Sequence, residues 1–162
     1  MTMLEIVSEW MRLMNMQFDD LRRPCTVLKE PFAGYFPEPF LAQTHYVVVP
    51  QMPVPAYQFL EQHGLTDLFN RDVAGLTLNN TYYLLPSVEN NLRVHFHELV
   101  HVAQWQRLGV EGFVTRYLEE LQAAGYDKMP LERMAYDLDA QYEAGGPVVN
   151  VPEVVNERLS AG

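Results

Sequence analysis

"VHFHELVHVAQW", residues Val94 to Trp105, is the stretch on which the reading of this chain turns. Three histidines and a glutamate fall between Val94 and His101, in an otherwise apolar run. Burying polar, titratable side chains costs free energy unless they are paired, so these need a chemical reason. His97, Glu98 and His101 spell HExxH. Side chains four apart on a helix share one face, so His97 and His101 can grip one ion together. Glu98 is turned by about 100° from His97, which lets its carboxylate approach a metal-activated water without binding the metal. Neutral imidazoles suit zinc, and a catalytic zinc site keeps three protein ligands and an open position for water. Such an ion brings the pKa of water to about 7, and a carboxylate beside it can take the proton and pass it to a leaving amine. The competing explanation is ordinary packing of two helical histidines. Apolar flanks, a mid-helix position and a strand-like hairpin just upstream favour the metal site. His95 lies about 240° around the helix from His101 and cannot join the same site through this helix. It reads as a packing or surface histidine, as do His45 and His63, which have no partner at ligand spacing.

Upstream of the motif, "GLTLNNTYYLLP" (75–86) reads as a hairpin, two strand-like runs around Asn79-Asn80, which tolerate the positive φ of a tight turn. Its "TYYLL" edge can accept a peptide as an added strand. "AQTHYVVVP" (42–50) is rich in β-branched and aromatic residues and reads as a strand, with "CTVLKEPF" (25–32) a weaker candidate. "AYQFLEQHG" (56–64) suits a short helix closed by Gly64. Leu4, Val7, Met11, Met14 and Phe18 recur at helical spacing, which predicts an amphipathic helix over about 3–22, its methionines serving as pliable packing.

Downstream, the period is helical from Ser87. Ser87 as N-cap, Glu89 at the positive end of the dipole and Gly109 at the far end define a helix over about 88–108. A second helix spans "EGFVTRYLEELQAAG" up to Gly125, and a third begins near Pro130, which suits a first-turn position, and ends at Gly145-Gly146. The tail, "PVVNVPEVVNERLSAG", reads as extended and then briefly helical. The sum is an α+β chain, with no internal repeat and no domain boundary.

A formal net charge of -10 argues against nucleic acid as a partner, because no basic stripe exists to displace counterions, and it disfavours docking on anionic membranes. The single cysteine, Cys25, makes no internal disulfide and points to a reducing compartment. The N-terminus does not read as a secretory signal, having Glu5 and Glu9 early and no basic start before an apolar core. No apolar run reaches the length of a membrane span. The expectation is a cytoplasmic domain.

A third metal ligand has to come from downstream. Glu120 lies nineteen residues after His101, in "RYLEELQ", with Glu119 beside it on a face that can be simply solvated. Glu132, in "MPLERMAYDLD", stands in a first helical turn, alone among Leu131, Met134, Ala135 and Leu138. Spacing allows either.

Taken together, "HELVHVAQWQRLG" (97–109) and "GYDKMPLERMAYDLDAQY" (125–142) resemble the gluzincin metallopeptidases, in which HExxH is joined by a glutamate from a later helix. More narrowly they resemble the small HELxHVxQ group, where a later ExxA stretch supplies that glutamate. The likeness covers about residues 75–143. It implies one zincin-like domain over residues 1–162, with HExxH on a central helix and helices packed on a small antiparallel or mixed sheet. It also implies His97, His101 and Glu132 as ligands of Zn2+, and Glu98 as general base. Related families often have an aspartate directly after the alanine of ExxA, where this chain has Tyr136. Asp139, seven residues after Glu132 and on the same face, is the candidate to orient a ligand histidine instead, or is a solvated helix acid. Gln104 matches the HVxQ extension and can hydrogen-bond around the site or sit on a polar face. An oxyanion donor is also needed, and Tyr126, Tyr136 and Tyr142 are all chemically suitable.

The function expected is hydrolysis of peptide bonds in a peptide or protein substrate, by a zinc-dependent metallopeptidase. The alternative is a non-catalytic metal-binding or protein-interaction module on the same scaffold. Glu98 favours catalysis, since a structural site needs no acid there and closes its fourth position. Small size favours the module. A metal-free helical binding protein is the third reading.

Overall fold

Among the described residues, the strands all precede Pro86, interspersed with helices, and the elements after it are helical. The computed structural model describes residues 1–66 and 73–160. Helix α1 (Met3–Gln17) opens on a capping box, in which the Thr2 hydroxyl accepts from the Glu5 amide at 3.2 Å and the Glu5 carboxylate accepts from the Thr2 amide at 2.9 Å. It ends five residues before the predicted 22, in a 3-10 turn over Asp19–Leu21. The residue before a proline is pushed toward extended backbone, and Arg23–Pro24 is strand β1. Pro24 has no N–H to prolong the ladder. "CTVLKEPF" is accordingly not a strand: Cys25–Leu28 is a 3-10 turn that delivers Cys25 and Leu28 to the core, and Phe32 is buried just beyond it.

Helix α2 (Glu38–Ala42) leads into strand β2 (His45–Val48), and helix α3 (Tyr57–Gln62) is followed by Gly64 with φ 67°. The part of the upstream region covering 67–72 lies outside the described residues. Strands β3 (Gly75–Leu78) and β4 (Thr81–Leu84) form the expected antiparallel hairpin, with Asn79 at φ 65°. The sheet order is β1-β2-β4-β3, and β2 runs parallel to β4, from His45 opposite Thr81 to Val48 opposite Leu84. The sheet is therefore mixed. β4 is central, and all four of its residues are buried. That corrects one expectation: "TYYLL" offers no free edge, and the outer strand of the hairpin is β3.

Helix α4 (Leu92–Ala124) starts later than Ser87, which sits in a 3-10 turn over Pro86–Val88. Asn91 is the cap, its side chain accepting from the Arg93 amide at 3.1 Å and the Val94 amide at 3.3 Å. Gly109, at φ 76° and ψ 168°, is not helical, so this run is two helices meeting at a kink, with the break where the sequence placed it. Only glycine holds that conformation without strain. Helix α5 (Pro130–Glu143) begins with proline in its first turn, as expected. The tail is extended and then helical, as expected: in helix α6 (Val151–Ser160), Val151, Val155 and Leu159 fall on one face and are buried.

α4 packs against α5, α6, α1 and both strands of the hairpin. Its apolar anchor is Phe96, 1% exposed, stacked on Tyr142 with ring centroids 4.7 Å apart and edge-on to Phe32, Tyr35 and Phe36. Phe96→Ala is expected to cost about 3–5 kcal/mol in denaturant unfolding, a large part of the about 5–15 kcal/mol that holds a domain together. Among the described residues, no helix is long and apolar enough to cross a membrane.

Candidate metal centre

The middle of α4 is buried from His95 through Trp105, so its polar groups need partners inside the protein, and the Trp105 indole N–H has none among the described residues. His97 and His101 lie one turn apart with ring centroids 4.9 Å apart. Across from them, the first turn of α5 presents Glu132, 4% exposed. The Nε2 atoms of His97 and His101 lie 3.2 and 3.1 Å from the same oxygen, Glu132 Oε1. The candidate ligand atoms of all three residues fall within 4.8 Å of one another, a group that can hold a metal ion.

The outer contacts fix which ring nitrogens are free. The Leu131 carbonyl can only accept, so the Gln104 amide nitrogen faces it at 3.0 Å and the amide oxygen faces His101 Nδ1 at 2.8 Å. His101 Nδ1 must then carry the proton. Asp139 does the same for His97, its Oδ2 accepting from Nδ1–H at 2.8 Å, while its Oδ1 accepts from Arg93 Nε at 2.8 Å. Both Nε2 lone pairs thus converge on a carboxylate oxygen. Three acceptors facing one another are stable only with a cation among them, a metal ion or a proton. The other Glu132 oxygen is occupied by the Tyr117 hydroxyl, which donates at 2.8 Å and leaves Oε1 for the shared point.

Proton affinities show the same demand for positive charge. Burial pulls the His97 imidazole down, but hydrogen bonds to Asp139 and Glu132 outweigh it and push it up to about 10. Burial likewise opposes charge on His101, and the Glu132 carboxylate more than compensates, raising it. Burial works to raise Glu132, yet the two imidazoles hold it well below the usual carboxylate range.

Glu98 stands beside this group without joining it. Its Oε1 accepts from the Thr77 hydroxyl of β3 at 3.0 Å, and burial raises its carboxyl against the pull of His97 and His101. The strand comes close enough that a Cβ on Gly75 would lie 3.0 Å from Glu98 Cδ. A missing side chain on β3 is what leaves room for this carboxylate.

Glu120 does not approach the centre. It caps α5, its Oε1 accepting from the Leu131 amide at 2.7 Å and its Oε2 from Arg116 Nε at 3.0 Å, while Glu119 is exposed. Glu120→Ala is expected to destabilise the protein by about 0.5–2 kcal/mol, as loss of a helix cap does, with metal binding unchanged. Melting curves with and without added zinc check both halves. The tyrosines divide as well. Tyr142 belongs to the aromatic core around Phe96. The Tyr126 and Tyr136 hydroxyls meet at 3.3 Å, and the Tyr136 ring lies 4.4 Å from the His97 ring. His95 is buried away from the centre, with Nδ1 2.6 Å from the Tyr82 hydroxyl and Nε2 2.7 Å from the Glu89 carbonyl. Thr77, Gly75, Arg93 and Tyr117 were not read from the sequence. The first two lie on another element, and Tyr117 is reached only through the bend at Gly109.

No protein-family model, no curated protein and no solved structure matches this chain.

Proposed function

We propose that this protein is a zinc-dependent metallopeptidase of the gluzincin kind, on a zincin-like scaffold. His97, His101 and Glu132 hold the metal and Glu98 is the general base. The observation that carries the reading is the convergence of two Nε2 lone pairs on Glu132 Oε1, with the Glu98 carboxylate beside them and outside the ligand set. Two imidazoles and one carboxylate are the donor set of a catalytic zinc site, which needs a further position open. A purely structural site is closed by a fourth protein ligand, and among the described residues the clustered metal-ligating side chains number three.

When bound, zinc supplies Lewis acidity, polarising the scissile carbonyl and making water a nucleophile at neutral pH. The chain's own groups do the rest. Asp139 and Gln104 keep the two Nδ1 atoms protonated and the two Nε2 atoms free, and Tyr117 turns Glu132 so that one oxygen faces inward. Glu98 takes the proton of the attacking water and returns it to the leaving amine. Burial raises its proton affinity above that of an ordinary carboxylate, which favours holding the proton between the two transfers. Thr77 holds the carboxylate through a single hydrogen bond to Oε1. β3 ends the sheet order, so its outer edge can pair with the backbone of an extended peptide beside Glu98. In this reading the oxyanion donors are the hydroxyls of Tyr126 and Tyr136, which meet at 3.3 Å, with the Tyr136 ring against that of His97.

The test is metal analysis followed by digestion of a peptide library. Protein refolded with zinc is expected to carry one ion per chain and to cleave peptides in a Glu98-dependent way. One ion without cleavage would leave a metal-binding module, and no ion would remove the centre altogether.

A further inference from the structure

We infer that the cavity beside the metal centre is a specificity pocket for one bulky apolar side chain of the substrate, aromatic or branched aliphatic, next to the scissile bond, with α1 as its outer wall. The inference rests on the hydrolase reading above and names the substrate class. The cavity measures about 170 Å³. Its polar wall is the centre itself: the three candidate ligands, Glu98, Thr77 and two tyrosines. The rest of the described lining is apolar and comes from distant parts of the chain, β3 and three others among them. Trp10 and Met11 belong to α1, Phe59 and Leu65 to the α3 segment, and Trp105 and Phe113 to the two halves of α4.

Size and chemistry together restrict the occupant. An apolar cavity of about 150 Å³ stays dry and admits a group as large as benzene, so this one fits a single ring or a leucine-sized branch. Trp105 and Phe113 stack with centroids 4.0 Å apart and planes 17° apart, which gives the pocket a flat, stiff side. An acidic side chain would be buried there facing the Glu98 and Glu132 carboxylates, which makes it the worst occupant. Residues Gly75, Leu76, Thr77 and Leu78 of β3 line the same cavity. A peptide paired along that edge therefore has a side chain within reach of the pocket while its backbone passes Glu98.

α1 supplies part of the pocket's apolar wall, through Val7, Trp10 and Met11. Substitutions on α1, far in sequence from HExxH, should therefore change substrate choice and spare metal binding.

The experiment is direct binding, which does not require cleavage. Zinc-loaded protein is titrated with N-acetylphenylalanine amide, N-acetylalanine amide and N-acetylaspartate amide, with NMR signals of Met11, Trp105 and Phe113 as reporters. The phenylalanine amide is expected to shift those signals and to bind about 10–200-fold more tightly than the alanine amide, the discrimination an apolar pocket provides. The aspartate amide should bind more weakly still. Val114→Phe, which fills the cavity from α4, should abolish the preference, and Val7→Trp, which fills it from α1, should do so without touching the helix of the centre. Equal affinity for phenylalanine and alanine amides in the wild-type protein, or shifts confined to other regions, would overturn the inference whether or not either variant folds. Selective binding at these residues without cleavage of any peptide would support the pocket and overturn the hydrolase reading.

Discussion

Glu98→Gln is expected to lower peptide hydrolysis about 10²–10⁴-fold while the protein keeps its full complement of metal. The substitution removes the proton acceptor and little else. Glutamine fills the same volume, and an amide oxygen can still accept from the Thr77 hydroxyl 3.0 Å from Oε1. His97, His101 and Glu132 keep their own partners, Asp139, Gln104 and Tyr117, so the donor set survives. The loss should appear in kcat more than in KM, because the proton transfer occurs in the transition state. Steady-state kinetics together with metal stoichiometry on the same preparation checks the claim. Loss of metal along with activity would mean that Glu98 is itself a ligand.

His101→Ala should weaken metal binding by more than the about 10–100-fold that loss of an outer partner costs, and Asp139→Asn should fall in that smaller range. Removing His101 leaves two donors and also strands the Gln104 amide oxygen that its Nδ1–H satisfied. In the wild-type protein, zinc at a hundred times its Kd should raise stability by about 2.7 kcal/mol, and the variant should show almost none of this. Thermal unfolding with and without chelator reads the difference. The chelated wild-type protein carries a second signature. His97 is raised from 6.5 to about 10, so its charged form stabilises the fold fully below about pH 6.5 and loses that contribution as the pH rises through 10. Chelated protein should therefore weaken across this window. Zinc-loaded protein should not, since the ion takes the proton's place, and its metal affinity should instead fall on acidification.

Much of the centre could be read from the chain because it obeys helical geometry. Spacing of four puts His97 and His101 on one face, and six puts His95 on another, and both statements are local. Glu132 is different. Spacing alone left it level with Glu120, and what separates them is that Glu120 turns to cap the helix on which Glu132 sits. That contact crosses the loop between α4 and α5, and no local pattern records it. Strand direction was equally out of reach. The hairpin turn is visible in Asn79-Asn80, but the parallel pairing of β2 with β4, which buries "TYYL" and leaves β3 at the edge, depends on residues 36 positions apart, as His45 and Thr81 are. The missing side chain at Gly75 acquires meaning only once Glu98 is seen against it.

Anomalous diffraction at the zinc edge, on crystals of the zinc-loaded protein, tests the central claim most directly. The prediction is a single peak about 2.0–2.2 Å from His97 Nε2, His101 Nε2 and a Glu132 oxygen, with Glu98 beyond bonding distance. A peak ligated by Glu98 or Glu120 in place of Glu132, or no peak at these histidines, would contradict it.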